Sequence, residues 1–206
     1  MSLRALVPLL GAVIQLSGCI ASVKYPSDWA EIRASNCADL SGAYQNRGVI
    51  HSPTQMWSGP FEVSDAWLTQ LFFNGQGRTL SDPKRAVYVQ IDARTPSELG
   101  ITATMPDGTA VPITLRQDKD EFRCRDGSIE LSSSEFGVNF VIVGGALSNS
   151  RLSKAADGAL IVSGHSQMAG TALIVVPLYG SSRTYARFGP APEPAALPAT
   201  TPGPAN

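Results

Sequence analysis

The stretch Ile101–Leu115, ITATMPDGTAVPITL, decides the fold class. Two short runs rich in apolar and β-branched residues flank Pro106–Thr109, and Gly108 can adopt the positive φ that a tight hairpin turn requires. Two further Asp-Gly pairs, at 126–127 and 157–158, also lie between short strand-like runs. This arrangement is typical of antiparallel strands joined by hairpins. The sequence therefore predicts a mainly β domain.

In one segment the apolar residues repeat with the period of a helix and not with the two-residue period of a strand. After Ser64 and Asp65, which are placed to cap a helix, apolar residues recur with helical spacing. Asn74-Gly75 favours the end of that helix. Its apolar face is formed by Trp67, Leu68, Leu71 and Phe72. We therefore expect a short helix that packs on the sheet.

The whole pattern predicts an antiparallel meander sheet that curls toward a partial barrel, with one or two short helices. The second helical turn would begin at Asp28, with Glu31 three residues later as in a capping box. Pro112 cannot donate a hydrogen bond to a neighbouring strand, so we expect it at a sheet edge or a bulge.

Residues 1–18 have the composition of an export signal. Arg4 is their only charge, and the apolar run 5–16 is shorter than the roughly 20 residues that span a membrane. The four residues Leu16–Cys19, LSGC, resemble a bacterial lipobox. That resemblance implies cleavage before Cys19, a diacylglyceryl group on its sulfur and acylation of its new amino group. The alternative is an ordinary cleaved signal that leaves an unmodified cysteine.

The resemblance also implies a location and a domain plan. Residue 20 is Ile rather than the Asp that often retains such lipoproteins in the inner membrane. In a Gram-negative source this favours the outer membrane, facing the periplasm. We divide the chain into a signal peptide (1–18), a lipidated tether (19–36), a β-rich domain (37–188) and a disordered tail rich in proline and alanine (189–206). The tether with the segment CADLSGAY is similar to small bacterial envelope lipoproteins.

Two cysteines remain after Cys19, and an exported domain with one such pair is expected to form a disulfide between Cys37 and Cys124. Closure of so long a loop contributes roughly 4–5 kcal/mol in the chain-entropy model. A redox pair or a pair of metal ligands is the alternative. The sequence has no CxxC motif and neither cysteine has a neighbouring histidine, which favours the structural role.

Catalytic and metal motifs are incomplete. Gly164–Met168, GHSQM, lacks the second glycine of a nucleophile elbow. The two histidines, His51 and His165, both precede Ser166, which is the wrong order for an α/β-hydrolase triad. We expect a strand end and turn there, with His165 exposed. The acidic cluster in 117–122 lacks the glycine and distal glutamate of an EF-hand loop and is predicted to be a solvated loop. We therefore predict no cofactor, no metal and no catalytic residue.

The aromatic residues of the first third could either line an apolar pocket or form core. They are Trp29, Trp57, Phe61, Trp67, Phe72 and Phe73. In addition, the segment Asp39–Tyr44 resembles the opening strand of lipocalins, with Tyr44 in the place of the tryptophan of that family. Both features indicate a carrier of a small apolar ligand as an alternative function.

Charge excludes one class of partner. The chain has 16 Lys and Arg against 17 Asp and Glu, without the basic face that nucleic-acid binding needs. We predict an envelope lipoprotein that is held to a membrane through lipid on Cys19, is not an enzyme and binds or assembles with another envelope protein. The alternatives are the apolar-ligand carrier and an enzyme with a site around His51 or His165.

Overall fold

A computed structural model describes residues 19–33, 36–51, 65–73, 80–138, 142–172 and 176–191. Within these ranges the chain is mainly β, as predicted, and its strands form two sheets. The strands are β1 (Cys19–Ser22), β2 (Ile32–Arg33), β3 (Gly42–Gln45), β4 (Arg47–His51), β5 (Asp65–Trp67), β6 (Tyr88–Asp92), β7 (Glu98–Thr104), β8 (Ala110–Arg116), β9 (Arg123–Arg125), β10 (Ser128–Val138), β11 (Ile142–Ala155), β12 (Leu160–Ala172) and β13 (Val176–Phe188).

The smaller sheet has four antiparallel strands in the order β3-β6-β7-β8. The predicted hairpin around Gly108 joins β7 to β8, and Gly108 has a φ of +84°. Pro112 lies in β8, which is an edge strand, so the prediction for this proline is confirmed. Val89 and Ile91 of β6 are buried on one face.

The larger sheet has the order β5-β4-β13-β12-β11-β10-β9, with β1 on β13 and β2 on β11. Its pairs are antiparallel except for β1, which runs parallel to β13. The other two predicted Asp-Gly hairpins join β9 to β10 and β11 to β12, and Gly127 and Gly158 have φ angles of +71° and +86°. In the described ranges the chain forms two sheets that do not close into a barrel, instead of the single curling sheet that we expected.

The two sheets share one hydrophobic core. Its buried side chains include Leu99 and Ile101 from the smaller sheet and Leu152 and Leu160 from the larger one. The helix α1 (Leu68–Phe73) packs into the same core through Leu68, Phe72 and Phe73. A short amphipathic helix of this kind is stabilised by tertiary packing rather than by its own hydrogen bonds.

Asn46 is the point at which the chain passes from the smaller sheet to the larger one. It lies between β3 and β4, and its exposed fraction is 0%. Its side-chain nitrogen donates to the carbonyl oxygens of Pro83 and Ala86, each at 2.9 Å. Its side-chain oxygen accepts from the backbone nitrogen and the hydroxyl of Thr69, each also at 2.9 Å. A fully buried amide is thereby satisfied on both sides.

The start of the helix differs from the prediction. Asp65, one of the two predicted caps, lies in β5 and pairs with Val49, and α1 begins only at Leu68. The helix start is capped instead by Asn46, whose carbonyl oxygen accepts from Leu68 N at 2.8 Å. Ser64 and Asn74-Gly75 lie outside the described residues.

The other short helices are of the 3₁₀ type. Asp28 lies in a turn that leads into β2, so the second helix predicted there is not formed. Three 3₁₀ segments occur elsewhere in the described residues, at Cys37–Leu40, Pro83–Arg85 and Gln117–Lys119. Asn36 caps the first of them, because its side chain accepts from Asp39 N while the Asp39 side chain accepts from Asn36 N.

The predicted disulfide is confirmed. Cys37 and Cys124 are bonded, and their Cα atoms are 6.1 Å apart. The bond joins the 3₁₀ turn Cys37–Leu40, which precedes the smaller sheet, to β9 at the edge of the larger sheet. It therefore adds a covalent link between the two sheets at a second place.

We expect Asn46→Ala to lower the free energy of unfolding by about 2–4 kcal/mol, because it leaves buried groups of Thr69 and Ala86 without partners. Asn46→Asp keeps the acceptor and loses both donated bonds, so a comparable loss is expected. Gln90→Ala, at an exposed position of β6, is the control and should change stability by less than about 0.5 kcal/mol. Urea unfolding measures all three, and equal values for Asn46→Ala and Gln90→Ala would contradict the role of Asn46.

Tyr44 makes the free energy of unfolding decrease at alkaline pH. Burial raises the pKa of Tyr44 to about 12, and its hydroxyl donates to Leu40 O at 2.7 Å. Since the unfolded pKa is about 10, the neutral phenol stabilises the fold fully below that pH, and this stabilisation is lost as the pH rises from about 10 to about 12. Over that interval the wild type should lose about 2 kcal/mol more than Tyr44→Phe in urea unfolding. Equal losses would refute the assignment.

Candidate functional site

A groove lies on the face of the larger sheet that is turned away from the shared core. Its volume is about 630 Å³, and Ile32 from β2 borders it at one side. The remaining lining comes from the middle of β10 to β13 and is mostly polar or charged. Its principal side chains are Glu130, Asn149, Arg151, His165, Arg183 and Tyr185.

Strand register explains why these residues meet. His165 in β12 lies opposite Asn149 in β11 and Arg183 in β13. In the adjoining row, Arg151 lies opposite Glu130. Because successive side chains alternate between the faces of a sheet, residues two positions apart share one face, and both rows therefore belong to the groove.

The groove carries an excess of positive charge. Arg151 and Arg183 are both exposed, and neither forms an ion pair within the described part of the chain. Glu130 is the one acidic side chain among the residues that line the groove. Two guanidinium groups without carboxylate partners can bind a carboxylate or another anion in a planar, two-point geometry.

His165 is one of the residues that line the groove. Its Nε2 lies 2.9 Å from the amide nitrogen of Gln167. An amide nitrogen only donates, so this hydrogen bond assigns the proton of the neutral ring to Nδ1. Nδ1 is buried and has no hydrogen-bond partner among the described residues. The ring is half-buried in the middle of β12, whereas the sequence predicted an exposed residue at a strand end.

The structure does not bring the two histidines into contact. His51 ends β4 opposite Tyr185, on the same face as His165 but two strands away. Strand spacings place their Cα atoms about 12 Å apart. Ser166 follows His165 directly and so lies on the opposite face, where its hydroxyl is 3.4 Å from that of Ser148. The segment Gly164–Met168 is therefore extended strand and not a nucleophile elbow.

The N-terminal segment covers the end of the groove face nearest to the 157–158 turn. The ring of Tyr25 meets those of Trp29 and Tyr185 edge to face, at centroid distances of 5.9 and 5.5 Å. Its hydroxyl donates to Ala30 O at 2.6 Å. Burial, and then the nearby Asp157 carboxylate, raise the pKa of Tyr25. The hydrogen bond from Arg187 lowers the pKa of Asp157 and holds it ionised at this rim.

The aromatic residues that were expected to line one apolar pocket are divided between two clusters. Trp29 packs with Tyr25 and Tyr185 on the groove face. Phe72 and Phe73 are buried in the core between the sheets. Trp67 ends β5, and Trp57 and Phe61 lie outside the described residues. The described members of the group are therefore core and covering residues and do not form one binding pocket.

Cys19, the predicted site of lipid attachment, is the first residue of β1. It lies opposite Gly180 of β13, and the pairing continues to Ser22 opposite Arg183. Ile32 and Arg33 of β2 pair with the end of β11. The segment that the sequence presented as a tether thus contributes two strands to the larger sheet. Residues 1–18 lie outside the described residues.

Acidic side chains of the loop 117–122 form hydrogen bonds and an ion pair with neighbouring residues of the chain. The Glu121 carboxylate accepts from Arg116 N at 2.6 Å, and Asp120 forms an ion pair with Arg123 at 3.0 Å. Asp120 adopts a left-handed backbone conformation with a φ of 55°. Within the ranges that the structure covers, no group of three or more His, Cys, Asp or Glu side chains is arranged to hold a metal ion.

Sequence reasoning did not single out Asn149, Arg151, Arg183 or Tyr185. The sequence pattern did contain a signal for them, since these residues alternate with small or apolar ones along their strands.

None of the helices in the described residues has the length and apolar character needed to cross a membrane. Comparisons of this chain with protein-family models, with curated proteins and with solved structures found no match.

Proposed function

We propose that this protein is a bacterial envelope lipoprotein, anchored through lipid on Cys19, whose β domain is a non-catalytic binding module. The LSGC segment that ends at Cys19 supports the anchor. Two or three acyl chains on one cysteine give durable membrane attachment, because each buried CH₂ contributes about 0.8 kcal/mol. In a Gram-negative source Ile20 favours the outer membrane, with the domain facing the periplasm.

The cationic groove is the observation that carries the binding role. Arg151 and Arg183 present guanidinium groups that the described chain leaves without carboxylate partners. The complementary ligand is an acidic segment of another envelope protein, which would pair its carboxylates with the two arginines.

The same geometry favours binding over the alternatives from the sequence. Among the described residues, the one side-chain partner of His165 is the amide of Gln167, which cannot take up or relay a proton as a carboxylate does. An apolar ligand in the groove would desolvate charged groups without compensating them. A polar, acidic partner satisfies the groove and leaves the core between the sheets undisturbed.

The anchor is tested by metabolic labelling with palmitate in cells that express the full chain. We expect the wild type to incorporate label and to sediment with membranes, and Cys19→Ser to lose both. Ser22→Ala, at the other end of β1, is the matched control and should behave like the wild type. Undiminished labelling of Cys19→Ser would refute the anchor.

The groove is tested by a photo-crosslinking residue placed at Ser163, on the groove face, or at Gln90, on the smaller sheet. In living cells we expect a discrete protein adduct only from position 163. The double charge reversal Arg151→Glu with Arg183→Glu should reduce that adduct about tenfold or more, since two charge-assisted contacts become repulsive. The double replacement by Lys should retain part of it. An adduct insensitive to charge reversal, or the same adduct from both positions, would contradict this binding role.

A further inference from the structure

The last described residues of the chain leave the larger sheet and run beside the smaller one. Residues 189–191, the first of the tail that we expected to be disordered, follow β13 and lie against the edge of β3. Gln45 N donates to Gly189 O at 2.8 Å, and Ala191 N donates to Ala43 O at 2.9 Å. The tail therefore begins as an extended segment that is paired with the smaller sheet.

The sequence of this segment favours its continuation along the same edge. Residues 189–194 read GPAPEP, with proline at every second position. Proline fixes its own φ, and the residue before a proline is restricted to extended conformations, so the whole segment favours an extended chain. The N–H group that pairs with β3 belongs to Ala191, and the prolines occupy the alternate positions, where no donor is needed. The next residue whose backbone would face β3 is therefore Glu193.

A lysine of the larger sheet lies where this continuation leads. Ser41 precedes β3 and has an extended backbone, with a φ of −59° and a ψ of 135°. Its carbonyl oxygen faces the same edge as that of Ala43, because carbonyl groups two residues apart in an extended chain point the same way. Lys154 Nζ lies 3.4 Å from Ser41 O and 2.9 Å from Asp39 O. Continued antiparallel register would bring Glu193 level with Ser41, about 7 Å beyond the last described residue.

Lys154 lies in a small cavity with an excess of positive charge. The cavity has a volume of about 260 Å³, and its charged lining residues are Arg33, Asp39 and Lys154. Arg33 in β2 is directly opposite Lys154 in β11, and like charges in such a pair repel each other. Neither cation forms an ion pair within the described residues, and the Asp39 carboxylate accepts from Asn36 N at 3.2 Å. A second carboxylate in the cavity would offset the repulsion between the two cations.

We propose that Glu193 docks in this cavity and pairs with Lys154 and Arg33. Glu193 is the one charged side chain of residues 189–206, so the tail offers a single carboxylate side chain to a matching pair of cations. The docked segment ties the tail to both sheets, because it lies on β3 and its carboxylate binds residues of β11 and β2. Arg33 follows Ile32, which borders the groove, so the remainder of the tail starts near that groove.

The test is zero-length crosslinking of the full chain with a water-soluble carbodiimide. The reagent joins a carboxylate and an amine that are in contact as an amide, and it takes up the water that is released. We expect a tryptic peptide pair joined between Glu193 and Lys154, at least about fivefold more abundant than any pair between Glu193 and Lys119, because docking raises the local concentration of the carboxylate. Lys119 is exposed in the turn at 117–119. Equal yields from the two lysines would overturn the proposal.

A variant that moves the carboxylate along the tail is the matched control. Glu193→Gln with Ala196→Glu keeps the charge and length of the tail, and position 196 lies roughly 10 Å further along an extended chain. The link to Lys154 should therefore fall at least about fivefold in this variant. Arg33→Glu should lower the link at position 193 at least about threefold, because it repels the carboxylate. An undiminished link in either variant would refute docking in the cavity.

A second copy of the protein is the competing source of the carboxylate. Crosslinking an equal mixture of isotope-labelled and unlabelled protein separates the two sources, since only a link between copies joins a heavy peptide to a light one. We expect both peptides of each linked pair to carry the same isotope. Mixed pairs in the proportion expected for random association would assign the contact to a second copy and overturn the proposal.

Discussion

The register of β13 is the constraint on which the rest of the structure depends. Its C-terminal third places Ala186 and Phe188 in the core between the sheets. Its middle presents Arg183 and Tyr185 to the groove, and its N-terminal third pairs with Cys19. A shift of one residue would move every one of these side chains to the other face. The core, the groove and the position of Cys19 thus depend on a single strand alignment.

A second constraint makes the two sheets one unit. The chain leaves the smaller sheet at Gln45 and enters the larger one at Arg47, with Asn46 between them. The buried amide of Asn46 holds the start of α1 and the turn at 83–86 at this crossing. The Cys37–Cys124 bond is a second, covalent link between the two sheets. These links hold the smaller sheet to the larger one, which carries the groove and Cys19.

Local patterns in the sequence predicted the local features of the fold. The three Asp-Gly turns and the edge position of Pro112 are confirmed, because turn chemistry is encoded within a few residues. The disulfide is confirmed because Cys37 and Cys124 are the two cysteines that remain after Cys19. The prediction of the helix cap was wrong, because the residue that caps the helix, Asn46, comes from another part of the chain. The groove was not predicted for the same reason. Arg151 and Arg183 lie far apart in the sequence, and the register of three strands brings them to one groove.

The central claim is that Cys19, the residue proposed to carry the lipid, is part of the sheet and not the end of a flexible tether. Hydrogen exchange of the lipidated protein in vesicles tests this at residues 19–22, compared with a peptide of the same sequence. Pairing of β1 with β13 predicts exchange at least about tenfold slower than in the peptide, because paired amides exchange only on local opening. Exchange at the rate of the free peptide would contradict the claim.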